Sequence, residues 1–176
     1  HFEIIDTELK HANATLGEIL DYSRMAEPKA KAEELGALVS AVLRELPPPK
    51  GVTLKQVLAK EKTLVLIDAM LFGKSLGHVL RNAYQATAAT GKAGVVNVTT
   101  AANGGRAAVE VFNSGAAVAE DVRAKLYSAF NTNKPRGIGL GLAFAQKALA
   151  RMRGTIELLD TPDGAAFRLS LPLAGP

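Results

Sequence analysis

The run Gly137-Ile138-Gly139-Leu140-Gly141-Leu142 alternates three glycines with aliphatics and passes straight into a helical pattern, Ala143 to Met152. Such a stretch lets backbone N–H groups converge on an anion at a helix start, where the helix dipole also favours negative charge. Glycine has no Cβ to hold a phosphate away from the main chain. The spacing does not fit a phosphate loop ending in GK[ST], and no strand followed by GxGxxG surrounds it. Taken alone, the run says only that an anion could sit at the start of a helix.

Composition narrows the field. Nearly half of the 176 residues are apolar and about a fifth are charged, so a folded core is expected, built mainly from Ala, Val, Leu and Ile because Trp is absent and aromatics are few. With no Cys, the chain has no disulfide, thiolate metal site or cysteine nucleophile, and it suits a reducing compartment. No apolar run approaches the ~18 residues a membrane span requires, and no signal-peptide pattern opens the chain. Cytoplasmic placement is therefore expected for this part, with a membrane anchor left open for a longer parent, because the chain does not start with Met. The net charge of +4 suits a phosphorylated ligand, but Lys and Arg are scattered, so no nucleic-acid partner is expected.

Residues 2–23 read as a long helix. Phe2, Ile5, Leu9, Ala12, Leu16 and Ile19 alternate spacings of three and four, an a/d seam that favours a coiled coil or hairpin needing a partner helix. The plainer alternative is an amphipathic helix docked on its own domain. Pro28 closes this element, which divides the chain into residues 1–27 and 28–176. A second helix is predicted over 32–46, with Leu35, Leu38, Val39, Val42 and Leu46 on one face, stopped by Pro47-Pro48-Pro49. Strands follow at 52–57 and 63–67. Asp68 then stands at an N-cap position before a helix to about Thr87, whose inward stripe reads Phe72, Leu76, Val79, Ala83 and Ala86. Residues 94–101 and 106–112 flank Asn103-Gly104-Gly105 as a hairpin, and 155–159 and 165–171 form another around Pro162-Asp163-Gly164. Between them, 118–136 is polar and irregular, with a short helical piece near 119–128. The pattern predicts an α+β fold: a two-layer sandwich with a mixed sheet of about five strands, three helices on one face, and a coiled-coil-like helix in front.

Four segments line up in order. His78 and Asn82, four apart in His78-Val79-Leu80-Arg81-Asn82, share one helix face. Asn113-Ser114-Gly115-Ala116-Ala117 leaves a strand. Phe130, Thr132, Asn133 and Lys134 precede the glycine run, and Gly164-Ala165-Ala166-Phe167 opens the last strand. Together these resemble the nucleotide-binding boxes of sensor histidine kinases, in the ATPase superfamily shared with gyrase B, MutL and the ninety-kilodalton heat-shock chaperone. The resemblance covers about 32–172 and implies the Bergerat-type ATP fold. It also extends to Ile19-Leu20-Asp21-Tyr22-Ser23-Arg24, which is similar to the end of the second helix of the family's dimerisation hairpin. The family's phosphoacceptor motif is absent, and His1 and His11 do not match it; each reads as a solvated helix residue.

The resemblance implies a set of roles. Asn82 would hold Mg²⁺ through its side-chain oxygen. His78, where many members have Asn and chemotaxis-type members have His, would orient the γ-phosphate or a nearby water. Arg81 and Lys134 would neutralise phosphate charge, as phosphoryl transfer requires. His78, Asn82 and Lys134 form the expected catalytic set. Phe130 would anchor a mobile lid, and Tyr84 and Gln85 would lie on the nucleotide side of the helix. Gly137, Ile138, Gly139, Leu140, Gly141 and Leu142 become a lid hinge as well as an anion cradle, with Gly115 beside the base. The expected ligands are ATP and Mg²⁺. The expected partners are a histidine-bearing hairpin in cis or trans, a response-regulator receiver domain, and a second copy in a homodimer.

Two departures matter. Asn113 stands where the family has an Asp that accepts from the adenine amino group; its carbonyl oxygen still accepts, without charge assistance, a loss of ~1–2 kcal/mol. Ala117 replaces the second glycine of that box. Two other readings therefore stand beside a kinase: an ATP-driven conformational machine, which elsewhere uses Glu at the His78 position, and a degenerate scaffold without chemistry.

Overall fold

Gly104 and Gly105 both take positive φ, 59° and 77°, and close a two-residue turn between Asn103 and Arg106. That geometry matches the twist of the strands on either side, and it sets the register of the sheet's central hairpin. The structure, a computed structural model, describes residues 2–132 and 137–175, with side chains from residue 4 onward. In chain order its elements are α1 (Phe2–Ser23), β1 (Lys31–Glu34), α2 (Leu35–Glu45), β2 (Val52–Val57), β3 (Leu64–Ile67), α3 (Ala69–Ala88), β4 (Gly94–Asn103), β5 (Arg106–Asn113), α4 (Glu120–Arg123), α5 (Gly141–Arg151), β6 (Thr155–Leu159) and β7 (Ala165–Pro172).

Five strands form one mixed sheet in the order β2-β4-β5-β7-β6, parallel only between β2 and β4. Alternation along the strands sends Val96, Val98, Val109, Val111, Leu169 and Leu171 inward, all fully buried. Helices α2, α3 and α5 cover that face, and Phe72, Leu76, Val79 and Leu80 of α3 are completely enclosed. Each such side chain contributes ~1.5–3 kcal/mol relative to exposure. The opposite face is polar, with Arg168 held to Glu110 at 2.8 Å and Glu157 at 3.4 Å. The two-layer α+β sandwich is therefore as expected.

Asp68 caps α3 as predicted: its Oδ1 accepts from the N–H groups of Met70 and Leu71, both at 3.0 Å. Phe72, Leu76, Val79 and Ala83 of α3 are buried as expected, but the buried stripe is wider than the predicted one. Ala86 is exposed, whereas Leu80, Tyr84 and Thr87 are buried. The second helix also starts later than its composition implies. Residues 31–34 form a strand antiparallel to β3, and the Glu34 carboxylate then caps α2 through Gly36 and Ala37.

Helix α1 places most of its seam outward: Ile5, Leu9 and Leu16 are more than half exposed, and among the seam's described residues only Ile19, near the helix end, is partly buried. What meets the rest of the molecule is its last turn, where Tyr22 packs against the core and polar groups tie the helix down. Asp21 pairs with Lys74 at 2.7 Å. Lys147 donates to Tyr22 O at 2.8 Å and lies 4.6 Å from the Tyr22 ring centroid. Just past the helix, Arg151 donates to Met25 O and Ala26 O. An amphipathic helix docked by its apolar stripe is not what forms. Among the described residues, no helix is long and apolar enough to cross a membrane.

Candidate nucleotide site

A cleft of about 230 Å³ opens where three walls meet. One wall is the polar face of α3, with His78, Arg81, Asn82 and Gln85. The second is Thr132 with the glycine run from Gly137 to Gly141. The third is α1, through His11, Ala14, Thr15 and Glu18. Spacing of four along α3 puts His78 and Asn82 into the same space, as their helical period requires.

The glycine run earns its composition from close approach. Gly139 has φ of 72°, and a Cβ there would stand 2.6 Å from Asn131 O. The segments before and after residues 133–136 are thus clasped together, and Phe130 N–H donates to Gly139 O at 3.1 Å. Helix α5 begins at Gly141 without a side-chain cap, and a Cβ on Gly141 would meet the His78 imidazole at 3.0 Å from Nδ1. Gly141 is small because His78 needs the space.

His78 is wedged against Phe144, ring centroids 5.3 Å apart, with Arg81 Nη2 at 3.4 Å from its Nδ1. Arginine carries only donors, so Nδ1 accepts and the proton resides on Nε2. Burial, then the Arg81 charge, hold the imidazole pKa down to about 4; Lys74 adds to this and Asp21 opposes it. At neutral pH the cleft therefore presents a neutral imidazole beside a guanidinium. An anion in the cleft would meet the Arg81 charge, and a neutral His78 has a hydrogen bond to offer it.

The other expected residues fall elsewhere. Tyr84 does not face the cleft: it is buried in the core, and its hydroxyl donates to Leu46 O at 3.0 Å. Leu142 packs against the core. Phe130 is exposed with φ of 63° rather than packed. Asn113 is almost completely buried at the end of β5, beyond the cleft lining, with Nδ2 3.5 Å from Ser114 O. Gly115, with φ of 148°, lies next to it and close to Ala86 O and Thr90. Lys134 lies outside the described residues. Sequence reasoning missed the α1 wall, although residues 11, 14, 15 and 18 follow i, i+3, i+4, i+7 on one helix face.

The donors suit a hard divalent cation. The Asn82 amide and Glu18 carboxylate line the cleft with oxygen donors, and no group of three or more His, Asp or Glu that could hold a metal without other ligands occurs among the described residues. A cation here would complete its shell with phosphate and water oxygens, the habit of Mg²⁺.

Residues 68–175 match the family described as Histidine kinase-, DNA gyrase B-, and HSP90-like ATPase. The chain belongs to this ATPase family. The signal transduction histidine-protein kinase AtoS of Escherichia coli K12 is 28% identical over 98% of the chain, and the sensor protein FixL of Bradyrhizobium diazoefficiens is 32% identical over 81%. The chain spans only 29% and 28% of the lengths of these two relatives. Among solved structures, full-length ShkA in complex with AMPPNP superposes with a TM-score of 0.81 at 26% identity, covering 94% of this chain and 36% of that one. The catalytic domain of histidine kinase ThkA gives a TM-score of 0.71 at 24% identity, covering 82% of this chain and 95% of that one, a likeness of fold. As a family member, this chain has its ATPase match begin at Asp68, the α3 cap, and run through both the α3 wall and the glycine wall of the cleft.

Proposed function

We propose that this chain is the ATP-binding catalytic part of a sensor histidine kinase, preceded by the second helix of its dimerisation hairpin over residues 1–27. It binds Mg·ATP in the α3 cleft and transfers the γ-phosphate to a histidine of the hairpin, from which a response-regulator aspartate takes it. The observation that carries this reading is the convergence of His78, Arg81 and Asn82 on the glycine run. Relatives aligned over nearly the whole chain carry sensor-kinase names, and the ShkA likeness is to a nucleotide-analogue complex. The outward seam of α1 suits pairing with a hairpin helix and a second copy. ATP as substrate places the reaction in the cytoplasm.

The residues divide the work by chemistry. Arg81 offsets phosphate charge, and the neutral His78 donates from Nε2 to a phosphoryl oxygen, which orients the group without competing as a strong base. Asn82 would hold the cation through its amide oxygen. A divalent cation held there would supply charge withdrawal from the transferring group. The Gly139 clasp sets where the lid begins and ends. Asn113 and Gly115 form the base end. Lys134 would add a second cation from the lid.

Asn82→Ala should abolish magnesium-dependent ATP binding in calorimetry; unchanged affinity would count heavily against the assignment. Incubating the chain with labelled ATP and a separately supplied hairpin bearing the acceptor histidine tests the chemistry. Label on the hairpin supports a kinase. Free phosphate alone identifies a hydrolase, and no turnover identifies a scaffold.

A further inference from the structure

Helix α1 carries a carboxylate into the cleft on a rigid support. Glu18 shares the cleft lining with Asn82, Arg81 and the glycine run, and it is partly buried there. It lies one helical turn ahead of the residues that moor α1: Asp21 to Lys74 at 2.7 Å, and Tyr22 to Lys147 through both its carbonyl and its ring. Arg151 secures the chain immediately beyond, at Met25 O and Ala26 O. A helix rises about 5.4 Å per turn, so anchoring residues 21–26 leaves Glu18 little freedom to withdraw.

A negative group in an anion site needs a reason. A bare nucleoside triphosphate brings about four negative charges at neutral pH, and within a narrow cleft the Glu18 carboxylate repels them, offsetting what Arg81 contributes. A divalent cation on the phosphates cancels two of those charges and is itself attracted to the carboxylate. The same residue therefore opposes one form of the nucleotide and favours the other.

We propose that Glu18 is a specificity determinant: it makes the cleft select the divalent-metal complex of a nucleoside triphosphate over the metal-free form. This rests on the nucleotide-binding reading above. It assigns to α1 a part in ligand choice and not only in pairing with another helix.

The test compares AMPPNP affinity by calorimetry at low salt, in saturating Mg²⁺ and in excess EDTA, for the wild-type chain, Glu18→Gln, Ala14→Lys and Asp6→Asn. Glu18→Gln should cut the ratio of the two affinities about five- to tenfold, chiefly by tightening metal-free binding. Ala14→Lys, which adds a cation on the same wall, should move the ratio in the same direction. Asp6→Asn, paired with Lys10 on the exposed part of α1, should leave it unchanged. An unaltered ratio in Glu18→Gln, or equal weakening of both forms, overturns the proposal while nucleotide binding stands. No binding of AMPPNP by the wild-type chain in either condition overturns the nucleotide reading itself, and this inference with it.

Discussion

Gly141 lies so near His78 that a Cβ on it would stand 3.0 Å from the imidazole Nδ1 and 3.3 Å from Cγ. Phe144 holds the other side of the ring. Gly141→Ala should therefore displace the imidazole within the cleft. The first turn of α5 gains up to ~1 kcal/mol of helix propensity from alanine, which offsets the strain. The expected outcome is near-constant stability in urea, a changed His78 imidazole shift by NMR, and nucleotide affinity down about tenfold, the equivalent of ~1.4 kcal/mol. Wild-type affinity in this variant would show that the ring's position is not used.

His78 also links stability to pH. Its folded pKa of about 4 lies below the ordinary 6.5, so the unfolded chain takes up a proton first as pH falls. The stabilisation is complete above about pH 6.5, is lost progressively down to about pH 4, and then levels off, at most ~3 kcal/mol in all. Urea denaturation at pH 7 and pH 5 should show this loss in the wild-type chain and a smaller one in His78→Asn. Identical slopes in the two proteins would remove the imidazole as the source.

The clasp at Gly139 predicts a local defect. Gly139→Ala combines a positive φ with backbone collision at Asn131, a strain of about 1–3 kcal/mol. The turn is outside the core, so the melting temperature should fall little. Hydrogen exchange at Phe130, whose N–H donates to Gly139 O, should accelerate, and ATP affinity should drop at least about tenfold. Unchanged exchange at Phe130 would mean the clasp does not depend on this residue.

Tyr84 gives the opposite pattern. Tyr84→Phe removes the bond to Leu46 O and leaves that carbonyl short of a donor, costing about 1 kcal/mol of stability. Nucleotide affinity should stay within about twofold of wild type, less than 0.5 kcal/mol. A large loss of binding would restore Tyr84 to the base pocket.

Long periodic elements and glycine-dependent turns were legible from residue identity alone. The Asp68 cap, the Asn103-Gly104-Gly105 hairpin and the helix after the glycine run each depend on local chemistry that a side chain announces. Strand β1 was not legible: Lys31-Ala32-Glu33-Glu34 has helical composition, and only pairing with Leu64–Ile67 makes it extended. Tyr84 belongs to the core because the buried stripe of α3 is wider than its strict periodicity suggests, taking in Leu80, Tyr84 and Thr87, and an amphipathic aromatic suits core and pocket alike. The α3 and glycine walls of the cleft could be read from spacing. The α1 wall could not, because a polar helix face gives no sign in sequence of whether it meets solvent or another domain.

Helix α1 has one consequence that involves both of its sides. Its apolar seam faces outward and its Glu18 faces the cleft, yet both are rows on a single stiff rod. A roll of the rod that repacked the seam would have to break the Asp21–Lys74 and Tyr22–Lys147 moorings and would swing the carboxylate with it. Reciprocity then applies: whatever factor a seam partner imposes on ligand affinity, the ligand imposes on the partner. On such a crankshaft, a partner on the seam and a ligand in the cleft would be set together.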